Sequence, residues 1–163
     1  VIGPVHTSVV GGVAPYISDE GTLLEKFHHM MNIPQTTAIL MQPMLSGTQI
    51  FIGAKREGNF GHLILCGLGG IFVETLKDIN YSLSPVSRVE ADEMIRTLRS
   101  YRILEGTRGQ EGVNIPMFSE AVRRVSALCQ AAPEIFEMDI NPLMAGTRQI
   151  TAVDARIRIE KER

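Results

Sequence analysis

The sequence from residue 135 to residue 159, IFEMDINPLMAGTRQITAVDARIRI, decides the predicted fold and carries the strongest candidate site. Two β-strands are predicted in it, Ile135–Ile140 and Gln149–Ile159, joined as a hairpin. Alternate residues of a strand share one face of a sheet, so Glu137, Asp139 and Asn141 are expected to point the same way. The residues between them are apolar, which is typical of a strand with one buried face.

The second strand of this hairpin brings another carboxylate to the same face. If the loop Pro142–Arg148 closes an antiparallel pair, Asp154 is expected roughly opposite Asp139. Three carboxylates and a carboxamide then converge without an obvious matching set of cations. Hard oxygen ligands of this kind suit Mg²⁺, which keeps waters and the phosphates of a substrate in its shell. The alternative is a solvated strand face, or ion pairs with Arg148 and Arg156.

Two other features are compatible with phosphate chemistry. A glycine cluster from Gly67 to Gly70 follows a buried strand, and glycines let backbone N–H groups approach phosphate oxygens closely. A tight turn without a ligand is the alternative. His6 lies in the opening segment, and a neutral imidazole can act as a nucleophile toward a phosphoryl group. More often, a lone histidine is a surface or core residue.

The rest of the chain predicts an α+β fold built around one sheet. From Thr36 to Cys66 the sequence indicates a three-strand antiparallel meander, with strands around residues 38–41, 50–52 and 63–65. A further half-buried strand is predicted at residues 79–83. The expected helix signals are an N-cap at Ser18 with a stop at Asn32 and Pro34, a capping box of Ser87 and Glu90, and a third helix from near Pro116 to Pro133.

Composition excludes several classes of protein. The 163 residues suffice for about one domain, with 44% hydrophobic and 21% charged residues, as in an ordinary globular protein. A formal net charge of −2 gives no basic field for nucleic acid or an anionic membrane. The longest apolar stretch, Leu63 to Val73, contains three glycines and is shorter than the ~18 residues of a spanning helix. Cys66 and Cys129 are predicted to be reduced core thiols of a cytosolic protein.

Four segments together resemble one known family: GLGGIFVETLKD from Gly67 to Asp78, LEGTRG from Leu104 to Gly109, EMDINPL from Glu137 to Leu143 and AVDARI from Ala152 to Ile157. In this order they resemble the ATP-grasp subunit of ADP-forming acetyl-CoA synthetases. These belong to the NDP-forming acyl-CoA synthetases, relatives of succinyl-CoA synthetase. The resemblance covers nearly the whole chain, and it implies an ATP-grasp-type domain with a mixed or antiparallel sheet and packed helices.

The resemblance also implies a domain organisation and an activity. Residues 1–35 are expected to be a remnant of the first ATP-grasp lobe, which is incomplete, and residues 36–163 the second lobe, a single compact unit. Family members interconvert acyl-CoA, ADP and phosphate with a carboxylic acid, CoA and ATP through phosphohistidine. The chain is therefore expected to be the nucleotide-binding fragment of a longer cytoplasmic ligase, with CoA-binding and CoA-ligase domains or subunits as partners, and inactive alone.

Roles for individual residues follow from the same resemblance. His6 is implied to hand phosphate to ADP, and Asn141 and Asp154 match the family's Mg²⁺ ligands, with Asp139 beside them. The residues implied to contact ATP or ADP are Met41, Gln42 and Met44 on an adenine-contacting strand, Gln49 near the ribose, Gly69, Gly70 and Glu74 at a glycine turn near the phosphate path, and Arg108 in an anion-contacting loop.

The sequence departs from the family in three respects. Thr7 and Val9 stand where the family has Lys and Asp, so groups that could orient or charge His6 are absent. Gln49 replaces a glutamate near the ribose, and the chain begins just after the position of the ATP-binding lysine. Thr7, Val9 and Gln49 support an alternative to the ligase function, a non-catalytic nucleotide-binding or regulatory module of an acyltransferase-type fusion.

Overall fold

The structure, a computed structural model, describes residues 1–2, 11–70, 78–107, 109 and 111–160. It divides into two compact units, Val1–Leu45 and Ser46–Arg163. This division lies further along the chain than the expected boundary after residue 35, and the assignment of lobes stays a prediction. No helix in the described ranges is both long enough and apolar enough to pass through a lipid bilayer.

The described part of the first unit contains the helix α1 (Glu20–Met31). Its N-cap is Asp19, not the predicted Ser18. The Asp19 carboxylate accepts hydrogen bonds from the backbone N–H of Thr22 at 2.8 Å and from the Thr22 hydroxyl at 2.7 Å. A carboxylate at this position also places negative charge at the positive end of the helix dipole. The helix ends at Met31, and Asn32, which was predicted to stop it, is the C-cap.

The strand predicted at residues 38–41 is wrong. In the described part of the chain, Ala38 makes only an isolated antiparallel bridge with Ile2. Leu40 and Met41 are 63% and 73% exposed. A strand needs a ladder of backbone hydrogen bonds to a neighbouring strand, and an apolar run in the sequence does not by itself supply one.

In its described residues, the second unit has a six-stranded sheet in which each pair of strands is antiparallel. The strands are β1 (Thr48–Arg56), β2 (His62–Leu68), β3 (Ile79–Leu83), β4 (Ile135–Ala145), β5 (Ile150–Ala152) and β6 (Ala155–Ile159). Their order is β3-β2-β1-β4-β5, and β6 also pairs with β4. The meander therefore consists of β1, β2 and β3, and the strand predicted over Gln149–Ile159 is two strands that both pair with β4.

The described residues of this unit contain three further helices, α2 (Arg88–Arg96), α3 (Tyr101–Glu105) and α4 (Ile115–Ala131), and a short 3-10 helix at Gly58–Phe60. The predicted capping box is present, since Ser87 and Glu90 each bond the other's backbone N–H. The start of α4 is also confirmed, with a proline in its first turn. Helix α3 was not predicted, because five residues are too few to show a helical period.

The hydrophobic core lies between one face of the sheet and the helices α2 and α4. Ile50, Ile52 and Ile64 are fully buried on this face and belong to one cluster with Ile95 of α2 and Phe118 of α4. Removal of this apolar surface from water is the main stabilising contribution to the unit. The opposite face of the sheet, which we call the open face, carries the candidate site.

Both cysteines are buried in this core, and neither forms a disulfide. Burial raises the pKa of the Cys66 thiol to about 12 and also raises that of Cys129. Both side chains are therefore protonated and act as small apolar groups. The prediction of free core thiols is confirmed.

Strand β3 is confirmed, but its polar residues face the helices. Tyr81 and Leu83 are 67% and 47% exposed. Asn80 pairs in register with Cys66 of β2, and its Nδ2 donates a hydrogen bond to the carbonyl of Met94 in α2 at 2.7 Å. The amide thus ties the sheet edge to the helix.

Candidate functional site

A row of polar side chains follows β4 on the open face. Glu137, Asp139 and Asn141, which we call the polar row, alternate with core-facing residues as the sequence predicts. Met138, between the first two, is only 7% exposed and pairs in register with Ala54 of β1. Alternation along a strand therefore positions the row, while the core packing of the intervening residues holds it in place.

The expected register of the hairpin is wrong by two residues. Asp154 does not lie opposite Asp139; the N–H of Asn141 donates to the Asp154 carbonyl at 3.2 Å, and Asp139 pairs with Arg156. The prediction that the first strand ends at Ile140 is wrong, because the strand continues through Pro142 to Ala145. The chain reverses only afterwards, where the N–H of Gly146 donates to the carbonyl of Gln149 at 2.9 Å. Turn position sets hairpin register, so the later turn moves Asp154 next to Asn141.

A β-bulge ends the polar row. Between β1 and β4 the register shifts, with Ile50 opposite Leu143 but Ile52 opposite Ile140. Phe51 therefore faces two residues of β4, Asn141 and Pro142. After the bulge, the odd-numbered residues of β4 point to the core and no longer to the open face. Leu143 is therefore buried, although it continues the odd numbering of the polar row. Proline in a sheet is favoured at bulges because it has no N–H for the ladder, so Asn141 is the last polar side chain of the row.

Two arginines of β6 lie on the same face, contrary to the expectation that no matching cations are present. Arg158 is in register with Glu137, and its Nη2 lies 4.0 Å from Glu137 Oε2. Arg156 Nε lies 3.8 Å from Asp154 Oδ2. The alternative interpretation of an ion pair with Arg156 is thus correct for this pair. Both arginine side chains are more than half exposed, so the pairs are weak and leave the carboxylates available to a cation.

Asp139 has more negative than positive charge around it. Burial raises the pKa of its carboxyl, the positive charge of Arg156 lowers it, and the negative charges of Asp154 and Glu137 raise it again. The net effect is a raised pKa, since desolvation outweighs the single nearby cation. A divalent cation bound beside Asp139 would compensate this unfavourable charge.

Asp139→Asn is expected to raise the free energy of unfolding at about pH 7 without divalent cations. The pKa of Asp139 is raised in the folded state above its value of 3.8 in the unfolded chain. Its contribution to the free energy of unfolding is therefore fully present below pH 3.8 and is lost as the pH rises through the pKa of the folded state. Asparagine does not ionise and avoids that loss. Urea unfolding from about pH 3 to about pH 8 measures the effect, and the gain should shrink toward acid pH. A variant less stable than the wild type at neutral pH would contradict the argument.

The polar row contacts a glycine turn, which we define as Gly69 and Gly70. The N–H of Gly70 donates to Asn141 Oδ1 at 3.0 Å. The N–H of Gly69 donates to the carbonyl of Gln49 at 2.7 Å. The structure therefore brings Gln49, Gly69, Gly70 and Asn141 together where β1, β2 and β4 meet.

Both positions of this turn require glycine. Gly70 has a positive φ of 61°, and a Cβ there would overlap the side-chain oxygen of Gln49. A Cβ on Gly69 would lie 2.6 Å from the carbonyl oxygen of Ile50, closer than such atoms approach in proteins. The alternative interpretation of a tight turn therefore explains why both residues are glycines without any ligand.

The remaining predicted site residues belong to the first unit or lie outside the described residues. Met41, Gln42 and Met44 lie in the first unit, outside any strand, with Met41 and Met44 exposed. Their role in adenine binding stays a prediction. Three predicted site residues lie outside the described residues: His6, Glu74 and Arg108.

The chemistry of the donor set fits a magnesium ion. Within the described ranges, no group of three or more His, Cys, Asp or Glu side chains is placed to hold a metal. The candidate set is instead two carboxylates and one carboxamide, from Asp139, Asp154 and Asn141. Proteins usually hold Mg²⁺ with one or two carboxylates and complete its shell with waters and substrate phosphates, so this set matches that pattern.

Comparison with known proteins identifies the family. The ATP-grasp domain family matches residues 4–159, almost the entire chain. The chain belongs to the ATP-grasp family. The predicted α+β ATP-grasp fold is confirmed, and the sheet with its polar row and glycine turn is part of this ATP-grasp domain.

Two curated relatives and one solved structure show which branch of the ATP-grasp family the chain resembles. The beta subunit of ADP-forming acetate–CoA ligase I from Pyrococcus furiosus is 35% identical over 94% of this chain and 69% of the relative. ADP-forming acetate–CoA ligase I from Archaeoglobus fulgidus is 34% identical over 99% of this chain but 25% of the relative. The chain thus spans about a quarter of that longer relative. The resemblance to ADP-forming acetyl-CoA synthetases is confirmed.

The solved structure is an acetyl-coenzyme A synthetase of Ca. Korarchaeum cryptofilum. It has a TM-score of 0.83 and 33% identity, covering 98% of this chain and 74% of that one. That structure is a complex with coenzyme A and Mg-AMPPCP, and its phosphohistidine segment points towards the nucleotide-binding site. That relative therefore binds coenzyme A and a magnesium nucleotide analogue.

The sequence suggests the ion pair of Arg156, but two other contacts of the site were not predicted. The pairing of Arg158 with Glu137 could have been found, since Arg158 lies two residues from Arg156 and shares its face. The bond between Gly70 and Asn141 joins residues 71 positions apart. No spacing rule predicts a contact across such a separation.

Proposed function

We propose that this chain is the nucleotide- and magnesium-binding part of an ADP-forming acid–CoA ligase. The ligase would interconvert acyl-CoA, ADP and phosphate with a carboxylic acid, CoA and ATP. The main support is the polar row with Asp154, next to the glycine turn, in a chain whose fold matches a Mg-AMPPCP-binding acetyl-CoA synthetase. Mg²⁺ and a nucleotide bound at this site are what phosphoryl transfer requires.

The cation would be held by Asp139, Asn141 and Asp154. When bound, Mg²⁺ neutralises the negative charge of the phosphates and so favours their approach to another nucleophile. Without it, Arg156 supplies part of the positive charge beside Asp154, at 3.8 Å and mostly exposed. A weak and exposed ion pair of this kind dissociates at low cost, which leaves the carboxylates free to bind a cation.

Several residues would contact the nucleotide, each in the role that the resemblance implies. Met41, Gln42 and Met44 would contact the adenine ring, and Gln49 would lie near the ribose. Glu74 and Arg108 would lie near the phosphates, with the glycine turn between the ribose and the cation site. Gln49 supports this arrangement because its own carbonyl holds Gly69 and its side chain covers Gly70.

His6 would carry the phosphoryl group to ADP, as in the phosphohistidine enzymes that the chain resembles. His6→Ala in the full-length protein is expected to slow ATP formation by at least about a thousandfold, because the nucleophile of a covalent step is lost. Coupled detection of ATP from acyl-CoA, ADP and phosphate measures this rate. His28→Ala, which removes an exposed imidazole from α1, is the control and should keep the wild-type rate. Undiminished turnover of His6→Ala would exclude His6 from the reaction.

The partners of the chain follow from the length of its relatives. The CoA-binding and CoA-ligase domains would come from the same polypeptide or another subunit, because the chain spans a quarter of one ligase and 69% of a beta subunit. The acyl group and CoA would meet in those domains. We place the assembled enzyme in the cytoplasm.

A regulatory module is the second candidate function. Thr7 and Val9 remove groups that could orient or charge His6, and Gln49 removes a carboxylate near the ribose. A module of this kind would bind Mg²⁺–nucleotide at the same site without transferring phosphate. The two functions therefore share the site and differ in turnover.

Turnover of the full-length protein separates these two functions. It is incubated with ATP, Mg²⁺, CoA and a panel of short and aromatic carboxylic acids, while acyl-CoA and ADP are followed together. We expect acyl-CoA to form with ADP and free phosphate. Formation of AMP and pyrophosphate would contradict the proposal. A folded protein that binds Mg²⁺–ADP without any turnover would support the regulatory module instead.

A further inference from the structure

The backbone N–H groups of the glycine turn are already used within the protein. Gly69 donates to the Gln49 carbonyl at 2.7 Å, and Gly70 donates to Asn141 Oδ1 at 3.0 Å. A phosphate cradle of the usual kind needs such N–H groups free to point at the ligand. In this structure the turn instead receives its acceptors from β1 and β4, so these two amides do not form a free anion site.

The turn is fixed to β1 on two sides. Gly69 packs against the backbone of Ile50, where even a methyl group would be 2.6 Å from the carbonyl oxygen. Gly70 lies under the side chain of Gln49. On the β4 side, the Asn141 side chain accepts the Gly70 N–H. Asn141 thus links the turn to the strand that carries the polar row.

Asn141 contacts both the glycine turn and Asp154, the first through its side chain and the second through its backbone. It is the last residue of the row and lies in the bulge, and its N–H donates to the Asp154 carbonyl at 3.2 Å. A carboxamide oxygen has two lone pairs, and one of them accepts the Gly70 N–H. A cation that binds this oxygen therefore uses the same atom that holds the turn.

We propose that Asn141 is a positioning residue that ties the glycine turn to the cation site. Its side-chain oxygen fixes Gly70 in the absence of ligand, and occupation of the cation site changes how tightly that amide is held. The second part rests on the proposed function, since it requires Mg²⁺ at Asp139 and Asp154. The first part rests on the hydrogen bond alone.

Hydrogen exchange of the full-length protein, read by mass spectrometry over the peptide that contains Gly69 and Gly70, tests both parts. Without ligand, Asn141→Ala should exchange about five- to tenfold faster in this peptide than the wild type, because one amide loses its acceptor. Asn141→Asp keeps an acceptor oxygen of nearly the same size, so it should restore slow exchange. This rescue distinguishes positioning from a general loss of packing.

The matched control is Asn114→Ala. Asn114 Oδ1 also accepts a backbone N–H, that of Met117 at 3.0 Å, but at the start of α4. This variant loses a hydrogen bond of the same type and should leave the glycine turn peptide unchanged. Faster exchange at the turn in Asn114→Ala would show that the effect is global, and the positioning role would be rejected.

The ligand arm uses saturating Mg²⁺ and ADP. When Mg²⁺ and ADP are added, the hydrogen-exchange rate of the turn peptide should change in the wild type and in Asn141→Asp. It should remain unchanged in Asn141→Ala. Equal exchange of wild type and Asn141→Ala without ligand would overturn the positioning role. No effect of Mg²⁺–ADP on any wild-type peptide would instead contradict the proposed function, together with the coupling to the cation. The two failures are therefore distinguishable.

Discussion

Asp154→Asn is expected to weaken the binding of Mg²⁺–ADP to the full-length protein by at least about tenfold. Asp154 lies directly across from Asn141 and is 54% exposed, so a hydrated cation can reach its carboxylate without displacing packed side chains. Asparagine keeps the shape of the side chain but removes its negative charge. Because Mg²⁺ depends on charged oxygen ligands, loss of one of only two carboxylates has a large effect.

Titration calorimetry with ADP, in the presence and in the absence of Mg²⁺, measures this loss. Without Mg²⁺, the variant and the wild type should bind ADP with similar affinity, since the carboxylate would contact the cation and not the base. Asp92→Asn removes the same charge from α2, which packs against the other face of the sheet, and should bind Mg²⁺–ADP normally. Equal Mg²⁺–ADP affinity for Asp154→Asn and the wild type would count against the cation site.

Gly69→Ala is expected to lower the free energy of unfolding by about 3 kcal/mol. Its Cβ would meet the carbonyl oxygen of Ile50 at 2.6 Å and the carbonyl carbon at 2.8 Å. These are backbone atoms of β1, a strand between two neighbours, so they cannot move aside as a flexible side chain would. Relief requires the turn or the strand to shift, and either movement disturbs the bonds to Gln49 and Asn141.

Thermal unfolding should show this as a decrease of about 10 °C in Tm. The control is Gly146→Ala, where the nearest atom to an added Cβ is 3.9 Å away, an ordinary contact. That variant should remain within about 0.5 kcal/mol of the wild type. Similar stabilities for the two variants would show that the turn is not packed as closely as the structure indicates.

Local signals in the sequence predicted the helices well. The capping box of Ser87 and Glu90 and the proline near the start of α4 define their helices with residues a few positions apart. Such contacts depend on short-range geometry that every helix shares. The cap at Asp19 differed from the prediction by one residue, since Ser18 and Asp19 are both good N-cap residues.

The sheet was predicted less completely, because strands depend on distant partners. The alternation of Glu137, Asp139 and Asn141 correctly indicated one face, but not what lies opposite. Treating Pro142 as the end of the strand placed the turn too early and moved Asp154 to the wrong neighbour. Instead, the proline marks the bulge. The apolar residues 38–41 failed as a strand for the same reason, since no sequence rule states whether a partner strand exists.

The site combines features that reduce stability with features that favour binding. Partial burial raises the pKa of Asp139, and three acidic residues share a face with two exposed arginines. A protein without a ligand for this face gains nothing from keeping these charges close together. Residues that oppose folding but suit a cation are typical of functional sites.

The most direct test is a crystal structure of the full-length protein with Mg-AMPPCP. We expect a cation on the open face, within about 2.1 Å of a carboxylate oxygen of Asp139 or Asp154 and in contact with the phosphates. The Asn141 side chain should lie between that cation and Gly70. A cation bound away from β4 and β6, with Asp139 and Asp154 still facing only Arg156, would contradict the proposed cation site.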